Sequence, residues 1–220
     1  MINDGIRLLK LGNAERALQQ FLNLDADPQE HPELAYHLGL CYTHLEQYEE
    51  ALVHLEQVVA SELGFAYVYQ ARMILGYIYA VTHRFRLAEF EFRRLLKDGF
   101  ESAKSHAALA FVLYQQGEAE EAEQELTTAL DLDADNPTAL NSLGYILAET
   151  SGDLTRALDC CRKAVKEKPN NPAYLDSLGW VYYKLGRLDL AAENLRKALD
   201  LLPGNREIAR HLKTVMEERR

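Results

Sequence analysis

The chain has 220 residues, 48% of them hydrophobic, and its 34 acidic against 24 basic side chains leave a formal net charge of −10. So acidic a chain argues against nucleic acid or an anionic membrane surface as its partner, since both select a basic face. No apolar run approaches the roughly 18 residues of a membrane span, and residues 1–10 lack the basic-then-apolar layout of a secretory signal.

Six alanines recur along the chain: Ala17, Ala51, Ala88, Ala122, Ala157 and Ala191, spaced by 34, 37, 34, 35 and 34 residues. A second small residue precedes each by 12 or 13 positions: Gly5, Gly39, Gly76, Ala110, Gly144 and Gly179. Two small slots at this period mean that two helices approach closely once per repeat, which is the pattern of a helix-turn-helix solenoid. The copies fall at about 1–31, 32–65, 66–100, 101–136, 137–171 and 172–204, and residues 205–220 follow them.

In the first copy Gly5, Gly12, Ala17 and Phe21 keep the frame loosely. Its first helix starts abruptly, with Ile2, Ile6 and Leu9 unshielded, so the spacing predicts either a piece of a longer array or an edge that meets a partner. The second copy runs 37 residues and has Ser61-Glu62-Leu63-Gly64 in place of a helix-stopping proline. A longer second helix or an extra loop turn is expected there. The third ends in Lys97-Asp98-Gly99, and the fifth carries an inserted residue near Ser151-Gly152-Asp153.

The sixth copy is the cleanest. Asn171-Pro172 opens a helix in which Leu175, Leu178, Gly179 and Tyr182 share a face, and Gly186 ends it. Leu188, Ala191, Leu195 and Ala198 line a second helix, which Pro203-Gly204 stops. In residues 205–220, Ile208, His211, Leu212, Val215 and Met216 form an apolar side opposite Arg206, Arg210, Lys213, Glu217, Glu218, Arg219 and Arg220.

Leu178-Gly179-x-x-Tyr182 with Gly186, Ala191, Ala198 and Pro203 resembles the tetratricopeptide repeat. So do Leu38-Gly39-x-x-Tyr42 with Ala51, Leu75-Gly76-x-x-Tyr79 with Ala88 and Phe92, and Leu143-Gly144 with Ala157, Ala164 and Pro169. The slot of the family's early tryptophan holds Ala35, Arg72, His106, Leu140 and Leu175 instead. Leu-Asn-Ser-Leu-Gly-Tyr at 140–145 and Leu-Asp-Ser-Leu-Gly-Trp at 175–180 resemble bacterial members. The resemblance implies an all-α, right-handed α-solenoid of about six repeats over residues 1–204, closed by a capping helix at 205–220.

Little in the sequence suggests catalysis. Phosphate-binding glycine loops, a nucleophile elbow and zinc-finger cysteine spacings are missing, and no cofactor is implied. Carboxylates are expected on solvated faces. The acidic run Glu118–Asp135 is expected to pair with Arg84, Arg86, Arg93, Arg94 and Lys97 before it and with Arg162, Lys163, Lys166 and Lys168 after it. His37, Cys41 and His44 share a helical face, but His37 and His44 lie roughly 10 Å apart and no fourth ligand is in sight, so no metal is expected. Cys41, Cys160 and Cys161 read as small buried hydrophobes of a reducing compartment. That favours the cytoplasm, or the periplasm should the chain be a piece of an exported protein.

First helices of such a stack line its concave face. The residue after each small slot points there, giving Leu40, Tyr77, Phe111, Tyr145 and Trp180, and one turn either side adds Tyr36, Met73, Asn141 and Asp176, then Tyr114 and Tyr183. These eleven form the expected groove for an extended or helical segment of a partner protein. Aromatic rings supply contact area, and Asn141 and Asp176 supply polar anchors. The carboxylate clamp of some family members is not expected, because Met73, Ala107, Tyr77, Phe111 and Tyr145 replace its lysine and asparagines. A non-catalytic adaptor is thus the leading expectation. Homo-oligomerisation through the bare N-terminal edge is the alternative.

Overall fold

The computed structural model describes residues 2–61, 64–150 and 152–219. Met1, Glu62, Leu63, Ser151 and Arg220 lie outside them, so the irregular junctions expected at residues 62–63 and 151 are seen only from their flanks. Among the described residues there are thirteen α-helices and no strand, and the chain is an all-α solenoid. Contacts divide it into two compact units, Met1–Glu101 and Ser102–Arg220.

The first unit contains α1 (Ile2–Lys10), α2 (Ala14–Leu22), α3 (Pro32–His44), α4 (Tyr48–Ala60), α5 (Phe65–Val81) and α6 (Phe85–Lys97). The second contains α7 (Ala103–Gln115), α8 (Ala119–Leu132), α9 (Pro137–Glu149), α10 (Leu154–Glu167), α11 (Pro172–Lys184), α12 (Leu188–Leu201) and α13 (Arg206–Glu218). Local chemistry sets the starts. Prolines occupy the first turn of α3, α9 and α11, where a missing N–H costs nothing. The side chains of Asn136, Asp153, Asn171 and Asn205 accept backbone N–H bonds at the heads of α9, α10, α11 and α13. Ser102 and Ser105 cap α7 reciprocally.

Each odd-numbered helix from α1 to α11 packs on the helix that follows it, and the small slots are where they touch. The six alanines are fully buried. A Cβ on Gly5 would fall 2.4 Å from the Phe21 ring, on Gly76 2.4 Å from Phe92 and on Gly39 2.7 Å from Leu55. At Gly144 it would meet both Cys161 Sγ at 2.4 Å and the Ala157 carbonyl at 2.9 Å. Within each unit the first helices of successive pairs also touch (α1 with α3, α3 with α5, α7 with α9, α9 with α11), whereas the backbones of the second helices stay further apart. The first helices therefore crowd an inner face and the second helices splay on an outer one.

The additional residues of the second copy do not lengthen α4. Helix α4 has 13 residues, and α5 extends to 17. No proline blocks its added turn, and Phe65 at its head stacks on Phe100 at 3.9 Å. In α13, Ile208, His211 and Val215 are buried, with Leu212 and Met216 half-buried beside them, while Arg206, Arg210, Lys213, Glu217, Glu218 and Arg219 are exposed. At the other end Ile2, Ile6 and Leu9 pack partly buried against the cluster of Ala17, Phe21, Leu34, Leu38 and Cys41.

One expectation about charge needs correction. Glu91 is buried rather than solvated, and Arg72 Nη1 donates to it at 2.7 Å. His106 Nδ1 lies 2.6 Å from Glu125 in the same place one copy on. Where the family keeps a bulky ring, these copies thus hold a polar bridge between paired helices. Several basic residues also have partners outside the acidic run. Arg84 pairs with Glu49, Arg93 with Glu89, Arg94 with Asp98 and Lys163 with Asp159, and Arg162 reaches the Tyr182 hydroxyl. Arg156, absent from the expected set, bridges α10 to Glu123 of α8 at 3.1 Å.

Candidate peptide groove

In the first unit the inner face is built from α3 and α5. Tyr36 is buried: its hydroxyl donates to the Gln70 side chain and its ring meets Tyr67 edge-on at 5.0 Å. It fastens α3 to α5 and offers little to a ligand. Leu40 and Met73 are half-buried, and Tyr77 is the open ring, 50% exposed.

In the second unit Phe111 of α7 is equally open, at 48%. Tyr114 and Tyr145 are half-buried and meet edge to face at 6.1 Å. Burial pushes both hydroxyls above the usual tyrosine range, and the nearby carboxylates of Glu149 and Glu207 add to it. Asn141 is half-buried, and its Oδ1 is a buried acceptor without a donor.

Asp176 and Trp180 are placed differently from a free anchor. Asp176 is buried, and both its oxygens take His211 Nδ1, at 3.0 and 3.1 Å. Trp180 is half-buried between His211, stacked at 4.1 Å, and Tyr183, stacked at 4.8 Å. Its Nε1 donates to Glu149 at 2.6 Å, and Lys184 pairs with the same carboxylate at 3.2 Å. Burial alone would disfavour the Glu149 charge, but the hydrogen bonds from Trp180 and Lys184 outweigh it and hold the carboxyl below its usual range. These contacts tie α13 and α9 to α11. Sequence reasoning passed over His211 and Glu149 in this role, although His211 stands 35 residues after Asp176, one repeat on.

The His37, Cys41 and His44 face has a packing role. The His37 ring stacks on Phe21 at 5.4 Å with both nitrogens buried and unpartnered, and burial lowers its pKa. Burial pushes the Cys41 thiol up to about 12. Among the described residues no group of three or more His, Cys, Asp or Glu side chains could hold a metal ion, and no helix is long and apolar enough to cross a membrane.

Family models described as tetratricopeptide repeat match residues 4–64, 75–137, 107–172 and 172–205. The chain belongs to the tetratricopeptide-repeat family. It is 41% identical over 90 residues to TPR repeat-containing protein PA4667 of Pseudomonas aeruginosa, a stretch covering 41% of this chain and 15% of that one. The chain thus spans well under a third of that relative. Among solved structures it resembles the APC/C hetero-tetramer Cut9–Hcn1, with TM-score 0.82 at 19% identity over 98% of this chain and 42% of that one. It also resembles YrrB, a TPR protein with an unusual peptide-binding site, with TM-score 0.58 at 22% identity over 82% and 91% of the two chains. At these identities the likeness concerns the fold. Tetratricopeptide repeats are protein–protein interaction scaffolds, and the repeat itself is typically non-catalytic.

Proposed function

We propose that this chain is a non-catalytic adaptor that binds a segment of a partner protein on the inner faces of its first helices. The observation that carries this reading is the exposure of Tyr77 and Phe111, about half open on faces where the surrounding tyrosines are at least half-buried. A large ring left in water on a crowded inner face is an anchor waiting for contact, because it supplies much area at low entropic cost. Tyr145, Tyr114 and Asn141 flank Phe111 in the register of the repeat, and Leu40 and Met73 flank Tyr77. Peptide binding by YrrB agrees with this reading without specifying the ligand here.

The test is affinity capture from source-cell lysate with wild type, Tyr77→Ala and Phe111→Ala side by side, followed by calorimetry on the captured partner. Each substitution is expected to weaken binding by about 2 kcal/mol with helicity unchanged. Equal affinity for wild type and both variants would remove the inner faces as the binding site.

A further inference from the structure

The outer face of the first unit departs from the rest of the chain. The position two residues past the buried alanine of each second helix points outward, and in four copies it is polar: Gln19, Gln124, Asp159 and Glu193. In α4 and α6 it is Val53 and Phe90, 56% and 62% exposed, and Leu87 beside Phe90 on α6 is 48% exposed. Helix α6 is also basic within an acidic chain. Arg86, Phe90, Arg93 and Lys97 follow one another at four-, three- and four-residue spacing, which sets them on one stripe of the helix. All four are exposed, as is Arg94. Arg93 is paired with Glu89 and Arg94 with Asp98, while Arg86 and Lys97 have no partner among the described residues.

We infer that the outer face of α6 is a second docking surface, which takes an acidic amphipathic helix of a partner protein. An apolar residue of that helix seats on Leu87 and Phe90, and carboxylates on either side meet Arg86 and Lys97. Charge complementarity selects this occupant. The two free cations stand eleven residues apart, roughly 16 Å along α6, so the matching carboxylates lie about three turns apart. Apolar contact supplies the affinity and the flanking charges fix register and exclude basic competitors. An anionic lipid surface is disfavoured because two apolar side chains on a rigid helix insert little area and the chain as a whole carries −10. The second helices carry this face, so it is independent of the inner-face reading.

Fluorescence anisotropy with a labelled synthetic helix, leucines on one side and glutamates on its flanks, tests the inference. Wild type is expected to bind it, and Phe90→Ala to weaken binding by about tenfold or more. Arg86→Glu/Lys97→Glu should abolish binding to this probe and favour its lysine counterpart. Raising salt from about 0.05 to 0.3 M should weaken the wild-type complex several-fold. Phe111→Ala, whose effect belongs to the inner face, should leave it unchanged. The inference fails if wild type ignores the probe, if Phe90→Ala and the charge reversal bind it like wild type, or if Phe111→Ala is the variant that loses it. It also fails if wild type instead sediments with phosphatidylserine vesicles, or forms a dimer that Phe90→Ala dissolves. Circular dichroism of each variant separates lost binding from lost fold.

Discussion

A single added methyl group reports how closely the paired helices approach. At Gly144 a Cβ would strike Cys161 Sγ and, at 2.9 Å, the Ala157 carbonyl, which cannot move without the backbone. At Gly39 its near neighbours belong to the Leu55 side chain, and the Ala51 carbonyl is 3.6 Å away. Gly144→Ala is therefore expected to cost about 1–3 kcal/mol and more than Gly39→Ala, as read from urea midpoints. His37 supplies a second residue-level prediction. Buried without a hydrogen-bond partner, it has a folded pKa below its ordinary 6.5 because burial disfavours the imidazolium, with Glu33 opposing only in part. Above pH 6.5 both folded and unfolded forms are neutral there, and the stability is intact. As pH falls from 6.5 toward the folded pKa, the unfolded chain takes up a proton that the folded one refuses, so stability drops. Wild type should thus lose more stability than His37→Phe between pH 7 and about pH 5, at no more than about 1.4 kcal/mol per pH unit. Parallel slopes for the two proteins would mean that His37 does not drive the acid response.

Among the elements, the described turns between paired helices carry strain in two copies. Gly12, Gly117 and Gly186 adopt φ of 76°, 87° and 70°, a left-handed conformation that costs glycine little. Glu46 and His83 occupy the same slot at 58° and 59°, where a Cβ crowds the neighbouring carbonyl. Glu46→Gly and His83→Gly should each stabilise the chain by about 1 kcal/mol, the αL strain of an L residue being 1–2 kcal/mol less what glycine loses in the unfolded chain. Thermal midpoints below wild type for both would show that these side chains have contacts worth more than the strain. Helix α13 illustrates how an element is held. Its apolar stripe was legible from Ile208, His211 and Val215, but the grip comes from the His211–Asp176 pair and the His211–Trp180 stack. Trp180 is consequently a fastener of α13, and Phe111 and Tyr77 are the cleaner probes of the proposed binding.

For the whole molecule, the period of small residues was sufficient to place the helices and their pairing, because a helix crossing at this distance admits only Gly or Ala and repeats wherever the pair repeats. Asn171-Pro172 marked the start of α11 because cap chemistry is local. The inner-face positions were legible as positions, since register alone sets which side of a first helix they occupy. Which of them are open was not. Tyr36 and Tyr77 look alike in the chain, yet one is consumed by Gln70 and Tyr67 and the other is half exposed. The polar bridges Arg72–Glu91 and His106–Glu125, the commitment of Asp176 to His211, and the lengthening of α5 in place of α4 all depend on partners distant in sequence. The sequence by itself determined the repeat, the helices and the faces, since these follow from spacing and local propensity. Tertiary structure decided which charges are buried and which rings remain open, because burial is a property of three-dimensional neighbours and no periodicity encodes it.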